Sequence, residues 1–466
     1  MKITAGQRLF VLAVLAVNAA VWIVPSDVVE LVARDRQTLL GRYSREHFAW
    51  IIALVPISAA AVYLHLSPSN AVKKRKAFRV AAVLLVAVPS VLAVDIYLRL
   101  TAHYPYVLGE LAYRRPAHTS FEGAYEDLPQ AVRTYPRAPP GYGKVTWKLS
   151  TDRRGFRNPT DYDRYDVVAL GDSFTEGSKI SDQHPWPARF AEKSGVSVCN
   201  LGMSGYAPQH YLASLKDHAL ALHPRYVMCM IYEGNDFRSA KQMTKAPSEW
   251  KRFFKRSPIV QAIDEFLIKM LGPIGAQRRI EGLEMLSWLP LAVPPGRDAK
   301  YYAFPPSFLR NHYTNRSEFE DSKYWKRTQY NLEQMRDVCR QAGAELIIVY
   351  APTKPRVVLP LVRDHLPAAK VRAFAALRDK RELPEPEVYL ENLMAYLGVK
   401  EAVLQAWCEE NSIALVSLTE ALRDSVRRAE QVYFTYNAHW TPVGHAVAAD
   451  VVHQFWTTRH RQTAGG

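Results

Sequence analysis

The feature that most constrains this chain is an apolar run at residues 167–170 that ends abruptly in Gly171-Asp172-Ser173. A short apolar run closed by glycine is typical of a buried parallel strand, and open α/β folds keep their active sites at the carboxyl ends of such strands. Ser173 is therefore a candidate nucleophile. Because Gly, Asp and Ser are also common turn residues, the tripeptide by itself fits an ordinary strand-ending turn better than a catalytic one.

Three later segments favour the catalytic interpretation. Two further apolar runs, at 198–205 and 227–236, end in small or amide residues that include Gly205 and Asn235. A histidine, His439, follows near the end of the chain. A serine hydroxyl needs a nearby base to accept its proton and donors aimed at the oxyanion that forms on the substrate, and these residue types supply both.

With these blocks in this order, the sequence resembles the SGNH (GDSL-type) serine esterase and acyltransferase superfamily. The resemblance covers roughly residues 150–455. It implies that Ser173 is the nucleophile, that His439 is the general base, and that the oxyanion hole consists of the N–H groups of Ser173 and Gly205 with the Asn235 amide. The segment 437–445 is most similar to relatives that O-acetylate bacterial exopolysaccharides such as alginate.

One position departs from the family pattern. Superfamily members usually carry an aspartate two or three residues before the catalytic histidine, where this chain has Tyr436 and Asn437. In serine proteases, replacing the acid of the catalytic triad by asparagine lowers the rate by about 10⁴. Because the carbonyl of an asparagine can still orient an imidazole, Asn437 is included among the catalytic candidates.

Three further residues are candidates for substrate binding: Asp172, Lys354 and Trp440. Lys354 lies in a Pro-x-Lys turn after a predicted strand, where the exopolysaccharide-modifying relatives often carry a similar turn. It would hold an anionic substrate group or be a solvated loop lysine. Trp440 would stack on a sugar ring or belong to the core. The sequence contains no metal-ligand spacing, and no cofactor is expected.

The N-terminal region predicts a membrane anchor. Three apolar runs, at about 9–24, 48–66 and 78–98, each approach the roughly 20 residues that span a bilayer. The first could instead be a signal peptide. A basic segment, 73–76, separates the second and third runs, and the positive-inside rule places it in the cytoplasm. The remainder of the chain is then periplasmic, attached to the bacterial inner membrane as a multi-pass protein.

The periodicity beyond the anchor predicts an α/β domain. Strands at about 166–170, 196–200, 226–232, 345–350 and 413–417 alternate with helices near 186–194, 208–222, 325–342 and 400–411, which indicates a doubly wound parallel sheet with helices on both faces. The resemblance implies that this α/β/α domain is flavodoxin-like. The predicted boundaries are 1–100 for three transmembrane helices, 101–150 for an irregular connector, and 151–236 with 326–456 for the hydrolase-like domain. A largely helical insertion at 237–325 would form a lid or a separate side domain.

Composition limits the partners. The chain has 466 residues and a formal charge of +15, yet it shows no nucleic-acid-binding signature, so a mixed surface facing anionic lipid or an acidic glycan is expected. The first hypothesis is acyl transfer to, or removal from, an envelope polysaccharide through an acyl-Ser173 intermediate. The resemblance implies a membrane-bound O-acyltransferase partner. The alternatives are a catalytically weak glycan-binding or assembly subunit and, third, a lipid esterase.

Overall fold

The computed structural model describes residues 4–23, 45–101, 107–108, 113–128, 139–241, 291–293, 299–379 and 381–464. The chain divides into two compact units, and 1–103 belong to the first. Its described elements are three helices: α1 (Ala5–Ile23), α2 (Arg45–His65) and α3 (Asn70–Thr101). α1 and α2 contact each other, and the Asn18 amide donates to Oγ of Ser58 at 2.8 Å.

Two of these helices are long and apolar enough to cross a membrane, Ala5–Ile23 and Asn70–Asp95, whereas the apolar part of α2, Leu54–His65, is shorter. The three predicted spans are therefore reduced to two candidates by length and composition. The basic segment 73–76 was expected in a loop, but it lies in the first turns of α3. Lysine and arginine are good helix formers, and the Ser69 hydroxyl accepts from the Val72 N–H at the start of the helix.

The second unit is built on a five-stranded parallel sheet, as the sequence predicts. The strands of this sheet are β5 (Val167–Leu170), β6 (Val198–Asn200), β7 (Tyr226–Tyr232), β10 (Glu345–Ala351) and β11 (Ala414–Ser417). They lie in the spatial order β11-β10-β7-β5-β6. Because all five run in the same direction, their carboxyl ends meet at one edge. The loops that follow them therefore share a common site.

Helices cover both faces of the sheet because both faces of its strands are apolar. In β5, Val167 and Ala169 belong to one buried hydrophobic cluster, and Val168 and Leu170 belong to the other. This alternation follows the two-residue period of a strand. The helices of the second unit are α4 (Ser173–Glu176), α5 (Trp186–Ser194), α6 (Pro208–Ser214), α7 (Asp236–Ser239), α8 (Pro306–His312), α9 (Arg316–Asp321), α10 (Lys323–Gln341), α11 (Lys354–Val358), α12 (Ala368–Ala376), α13 (Pro386–Tyr396), α14 (Val399–Glu410), α15 (Thr419–Arg427) and α16 (Pro442–Ala464).

The segment predicted as an irregular connector, 101–150, contains regular structure. Short strands β1 (Val107–Leu108) and β2 (Tyr113–Arg114) pair with each other. Strands β3 (Ser120–Glu126) and β4 (Lys144–Ser150) form an antiparallel ladder over their full length. These strands were not predicted, because the prolines, tyrosines and glycines around them are also typical of irregular chain. Asp127, just beyond the end of β3, accepts from the backbone N–H of Thr435, so this end of the ladder contacts the loop that carries His439.

The described part of the predicted insertion, 237–325, is integrated into the second unit. Strands β8 (Leu291–Val293) and β9 (Lys300–Tyr302) pair, and Leu291, Val293 and Tyr302 are buried in the same hydrophobic cluster as the central strands. This part is therefore neither a separate side domain nor wholly helical. Residues 242–290 and 294–298 lie outside the described residues, and so does most of the insertion that was predicted to form a lid.

Candidate active site

The candidate nucleophile lies at the carboxyl edge of the sheet. β5 ends at Leu170, and α4 begins at Ser173, with only Gly171 and Asp172 between them. A Cβ at Gly171 would lie 2.1 Å from Oγ1 of Thr175, so the turn requires glycine. The Asp172 carboxylate caps α4 by accepting from the Phe174 N–H at 2.9 Å. The sharp turn leaves the Ser173 side chain half-buried at the start of a helix.

The loop before α16 brings His439 to this serine. Nε2 of His439 lies 2.7 Å from Oγ of Ser173, although the two residues are 266 positions apart in sequence. Nδ1 of the same ring lies 2.5 Å from Oδ1 of Asn437, which also accepts from the His439 backbone N–H at 3.1 Å. With a proton on Nδ1, the Nε2 lone pair faces the serine hydroxyl. The arrangement is that of a nucleophile, a base and an orienting group.

The charges around His439 keep its ring neutral. Burial lowers the pKa of His439 to about 3, and the ammonium groups of Lys179 and Lys354 act in the same direction. Among the described residues, no carboxylate hydrogen-bonds to Nδ1; the neutral amide of Asn437 occupies that position. The imidazole is therefore available as a proton acceptor at neutral pH, but the imidazolium that forms during catalysis has no adjacent anion to stabilise it.

Gly205 lies in the turn after β6 with φ of +84°, a conformation that favours glycine. Two contacts fix this turn: the Ser204 N–H donates to the Glu176 carboxylate at 3.1 Å, and the Tyr113 hydroxyl donates to the Ser204 carbonyl at 2.5 Å. Within the described part of the chain, neither the Ser173 nor the Gly205 backbone N–H has a protein acceptor. Both are available to bind an oxyanion.

Asn235, the third predicted donor, follows β7 and precedes α7. Its side chain lies beside the Asp172 carboxyl group: burial raises the pKa of that group, and the Asn235 amide acts in the opposite direction. An amide nitrogen carries two hydrogens, so one can face Asp172 while the other faces a substrate oxygen. Asp172 is only 2% exposed. The expectation that it binds substrate is therefore wrong: it caps α4 and orients Asn235.

The structure also corrects the predicted role of Lys354. It is 1% exposed, so it is not a solvated loop residue. Its Nζ lies 2.7–2.8 Å from four main-chain carbonyl oxygens, those of Ala303, Phe434, Thr435 and Asn437. Burial lowers the pKa of Lys354 to about 7. An ammonium group has three hydrogens, and all of them are used here, so the side chain holds the His439 loop rather than a substrate anion.

Trp440 belongs to the core, which excludes sugar stacking. The side chain is fully buried, and its ring packs edge-on against Phe174 with the centroids 4.8 Å apart. It also contacts the buried ring of His445. By packing against Phe174, the neighbour of Ser173, Trp440 supports the loop that carries the histidine. A substrate therefore cannot use the Trp440 ring as a stacking surface.

Four residues near the site were not predicted from the sequence: Tyr125, Asp127, Glu176 and Lys179. Glu176 anchors the Gly205 turn and forms an ion pair with Arg115 at 2.7 Å. Nζ of Lys179 lies 4.3 Å from the centroid of the Tyr125 ring, and its backbone has φ of +67°. Only the position of Glu176, one helical turn after Ser173, could have suggested a role. Within the described residues, no group of three or more His, Cys, Asp or Glu side chains is placed to hold a metal ion.

The chain is similar to known hydrolases. A family model described as GDSL-like lipase/acylhydrolase matches residues 169–447, more than half of the chain.

Three solved structures resemble the fold at 11% identity. A G-D-S-L lipolytic family member from Veillonella parvula covers 62% of this chain and 97% of its own, with a TM-score of 0.31. A catalytic mutant of the acetylxylan esterase Axe2 from Geobacillus stearothermophilus covers 63% and 94%, with a TM-score of 0.31. A lipase/acylhydrolase from Enterococcus faecalis covers 63% and 96%, with a TM-score of 0.28. No curated protein matches the sequence.

Proposed function

The chain belongs to the GDSL-like lipase/acylhydrolase family, and we propose that it is a serine-dependent enzyme that transfers acetyl groups to, or removes them from, an envelope or exported polysaccharide. The observation that carries this proposal is the 2.7 Å distance between Oγ of Ser173 and Nε2 of His439. Together with two unoccupied backbone donors and the Asn235 amide, this pair supplies the groups that acyl transfer through a covalent intermediate requires.

The reaction proceeds in two halves. His439 accepts the hydroxyl proton while Oγ of Ser173 attacks the acyl carbonyl, and the negative oxygen of the tetrahedral intermediate faces the donors at Ser173, Gly205 and Asn235. The intermediate collapses to acyl-Ser173 as the imidazolium returns the proton to the departing alcohol. A second alcohol or a water molecule, deprotonated by His439, then attacks acyl-Ser173 and regenerates the free serine.

An acidic glycan is the proposed acceptor because the partly exposed charge beside His439, the ammonium group of Lys179, is positive. The half-buried Lys179 lies close enough to His439 to lower its pKa, and its side chain is held over the Tyr125 ring. A substrate carboxylate beside Lys179 would offset this charge and favour formation of the imidazolium. We therefore expect a Lys179→Met variant to have a higher KM than wild type for acetylation of an oligouronate, and a wild-type KM for a neutral oligosaccharide.

The proposed location is the outer face of the bacterial inner membrane. Two candidate spans, Ala5–Ile23 and Asn70–Asp95, support an anchor, and the basic segment 73–76 supports a cytoplasmic end for the second. In this arrangement a membrane-bound O-acyltransferase supplies the acetyl group, and the anchor is the surface available to dock it. The similarity of segment 437–445 to exopolysaccharide acetyltransferases supports the same assignment.

A second function, glycan binding or assembly with little catalysis, is favoured by one observation. The position that usually holds the acid is the neutral Asn437, and burial with two nearby lysines lowers the pKa of His439 to about 3. Such a base accepts a proton only weakly. In this case the fold would present a glycan to a partner enzyme and would form no acyl-Ser173.

The deciding experiment uses the full chain in detergent. Release of p-nitrophenol from p-nitrophenyl acetate is measured beside mass spectrometry of the intact protein, which detects an acetyl adduct. We expect turnover and an adduct in wild type, none in Ser173→Ala, and wild-type values in Ser194→Ala, a control on α5. Equal rates in wild type and Ser173→Ala, with no adduct, would support the binding function. Faster hydrolysis of p-nitrophenyl octanoate than of the acetate would instead favour a lipid esterase.

A further inference from the structure

A buried carboxylate, Asp127, contacts the loop that carries His439. Asp127 is fully buried just beyond the end of β3. It accepts from the backbone N–H groups of Thr435 at 2.5 Å, Tyr436 at 3.2 Å and Tyr142 at 3.1 Å. A buried carboxylate is costly unless its oxygens are paired, and these donors pair them. The mechanism described above assigns this residue no role.

Tyr125 connects this carboxylate to the catalytic residues. Its hydroxyl donates to Oδ1 of Asp127 at 2.9 Å. Burial raises the pKa of the Tyr125 phenol, and the neighbouring Asn437 amide acts in the opposite direction, so the donor end of that amide faces the phenol oxygen. A phenol has one hydrogen, which is used by Asp127, so toward the amide nitrogen its oxygen can act only as an acceptor. The other end of that amide, Oδ1, then faces Nδ1 of His439. Rotating the amide by 180° would break both contacts.

We propose, on the basis of the function proposed above, that Tyr125 and Asp127 are positioning residues that act through Asn437 to orient the catalytic imidazole. The sequence of contacts is Asp127, Tyr125, Asn437, His439 and Ser173. By fixing the amide oxygen toward Nδ1, the first two residues keep the proton on Nδ1 and the lone pair of Nε2 toward the serine. In orienting the imidazole, Asp127 acts through Tyr125 and Asn437 in place of the aspartate that relatives carry next to the histidine.

The alternative is that Asp127 only anchors the 434–437 loop through its contacts with backbone N–H groups. Substituting Asp127 would disturb both roles, so Tyr125→Phe is the informative variant. It removes one hydroxyl and leaves the ring, which packs edge-on against Phe434 at 5.4 Å. Tyr142→Phe is the matched control, because the Tyr142 ring packs on the same phenylalanine at 5.2 Å and shows no hydrogen bond from its hydroxyl within the described residues.

The first measurement is the rate of p-nitrophenyl acetate hydrolysis by the full chain. We expect Tyr125→Phe to lower kcat by about 10- to 100-fold with little change in KM, because a supporting partner of a functional histidine typically contributes this much. Tyr142→Phe should match wild type. In an Asn437→Asp background the effect of Tyr125→Phe should shrink to less than about threefold, because a carboxylate presents an oxygen to Nδ1 in either orientation. Equal losses in the two backgrounds, or no loss in the first, would overturn the proposal.

The second measurement does not depend on turnover. Nitrogen NMR of the chain labelled at histidine distinguishes the Nδ1–H from the Nε2–H tautomer, and His439→Gln identifies the signal. We expect the Nδ1–H form in wild type and in Tyr142→Phe, and a mixture of tautomers in Tyr125→Phe. An unchanged tautomer in Tyr125→Phe would overturn the proposal. If wild type shows no Ser173-dependent turnover, the proposed function fails, and this measurement still decides whether Tyr125 orients the ring.

Discussion

Nδ1 of His439 lies 2.5 Å from Oδ1 of Asn437, so an amide occupies the position next to the imidazole where relatives carry a carboxylate. The amide can fix the tautomer as a carboxylate does, since its oxygen accepts one hydrogen bond. It cannot supply the negative charge that stabilises an imidazolium. Orientation and charge stabilisation are therefore separable at this site, and substitutions at position 437 test them independently.

The first prediction concerns Asn437→Asp. Because burial lowers the pKa of His439 to about 3 in wild type, the base is neutral across the working range, and kcat/KM should not fall between about pH 8 and about pH 5. A carboxylate at position 437 raises the pKa of His439, so kcat should increase and an acidic limb should appear in the pH profile. Asn437→Ala should lower kcat without creating that limb. A profile for Asn437→Asp that coincides with wild type would contradict this account of the site.

The second prediction concerns the oxyanion donor at Asn235. Asn235→Ala removes the amide hydrogen aimed at the developing negative charge, and the loss of one such donor typically lowers kcat by about 10²–10³ with little change in KM. Asn392→Ala, on α13, is the control and should keep the wild-type rate. Asp172→Asn should lower kcat less than Asn235→Ala does, because it disturbs the orientation of the donor rather than removing it. Equal rates in Asn235→Ala and Asn392→Ala would exclude Asn235 from the oxyanion hole.

The third prediction separates backbone strain from catalysis by comparing two glycines. Gly205 and Gly195 both have positive φ, +84° and +70°, so alanine at either should cost about 1–2 kcal/mol of stability. A Cβ at Gly205 would lie 2.6 Å from the Tyr113 hydroxyl, whereas at Gly195 no atom lies within 4 Å. Gly205→Ala should therefore lose activity as well as stability, and Gly195→Ala only stability. Steady-state rates and thermal unfolding of both variants check this, and full activity in Gly205→Ala would contradict the role of its N–H.

The sequence predicted the elements that follow local rules. The apolar runs identified the strands of the parallel sheet, and the small or amide residues at their ends identified Ser173, Gly205 and Asn235 at its carboxyl edge. Residues at the ends of parallel strands converge whatever their separation along the chain. This convergence is why Ser173, Gly205 and Asn235 could be placed at one site, whereas His439, which precedes α16 and does not follow a strand of the sheet, was assigned from the family resemblance.

The residues that were missed or misassigned depend on contacts with no local signal. Asp127 meets Thr435 across 308 positions, and nothing in either segment indicates the other. Lys354 was predicted to hold a substrate anion or to lie in solvent, because lysine is almost never fully buried without partners. Its partners here are carbonyl oxygens, which every residue has. The buried position of the Trp440 ring also has no local signal, since adjacency to His439 in sequence does not specify which way the ring points.

The fourth prediction tests the structural role of Lys354. Lys354→Met keeps the apolar stem but removes the ammonium group that donates to four carbonyl oxygens, which should lower the free energy of unfolding by at least about 2 kcal/mol. Activity should fall as well, because the carbonyl of Asn437 is one of the four. Lys370→Met, an exposed position on α12, is the control. Thermal unfolding of both variants checks this prediction. Equal stability of the two variants would contradict the structural role of Lys354 and make it a candidate for substrate binding again.

The fifth prediction is a loss of stability in mild acid. Burial lowers the pKa of His312, His439 and His445 in the folded protein, whereas histidines in the unfolded chain accept protons below about pH 6.5. The unfolded state then binds more protons, so the free energy of unfolding falls as the pH falls below about 6.5, by about 1.4 kcal/mol per pH unit for each histidine. His445→Gln should reduce this slope by one proton, and His365→Gln, at an exposed position, should leave it unchanged. Denaturant unfolding between about pH 7 and about pH 5 measures the slope, and an identical slope in His445→Gln and wild type would show that His445 does not remain neutral in the folded protein.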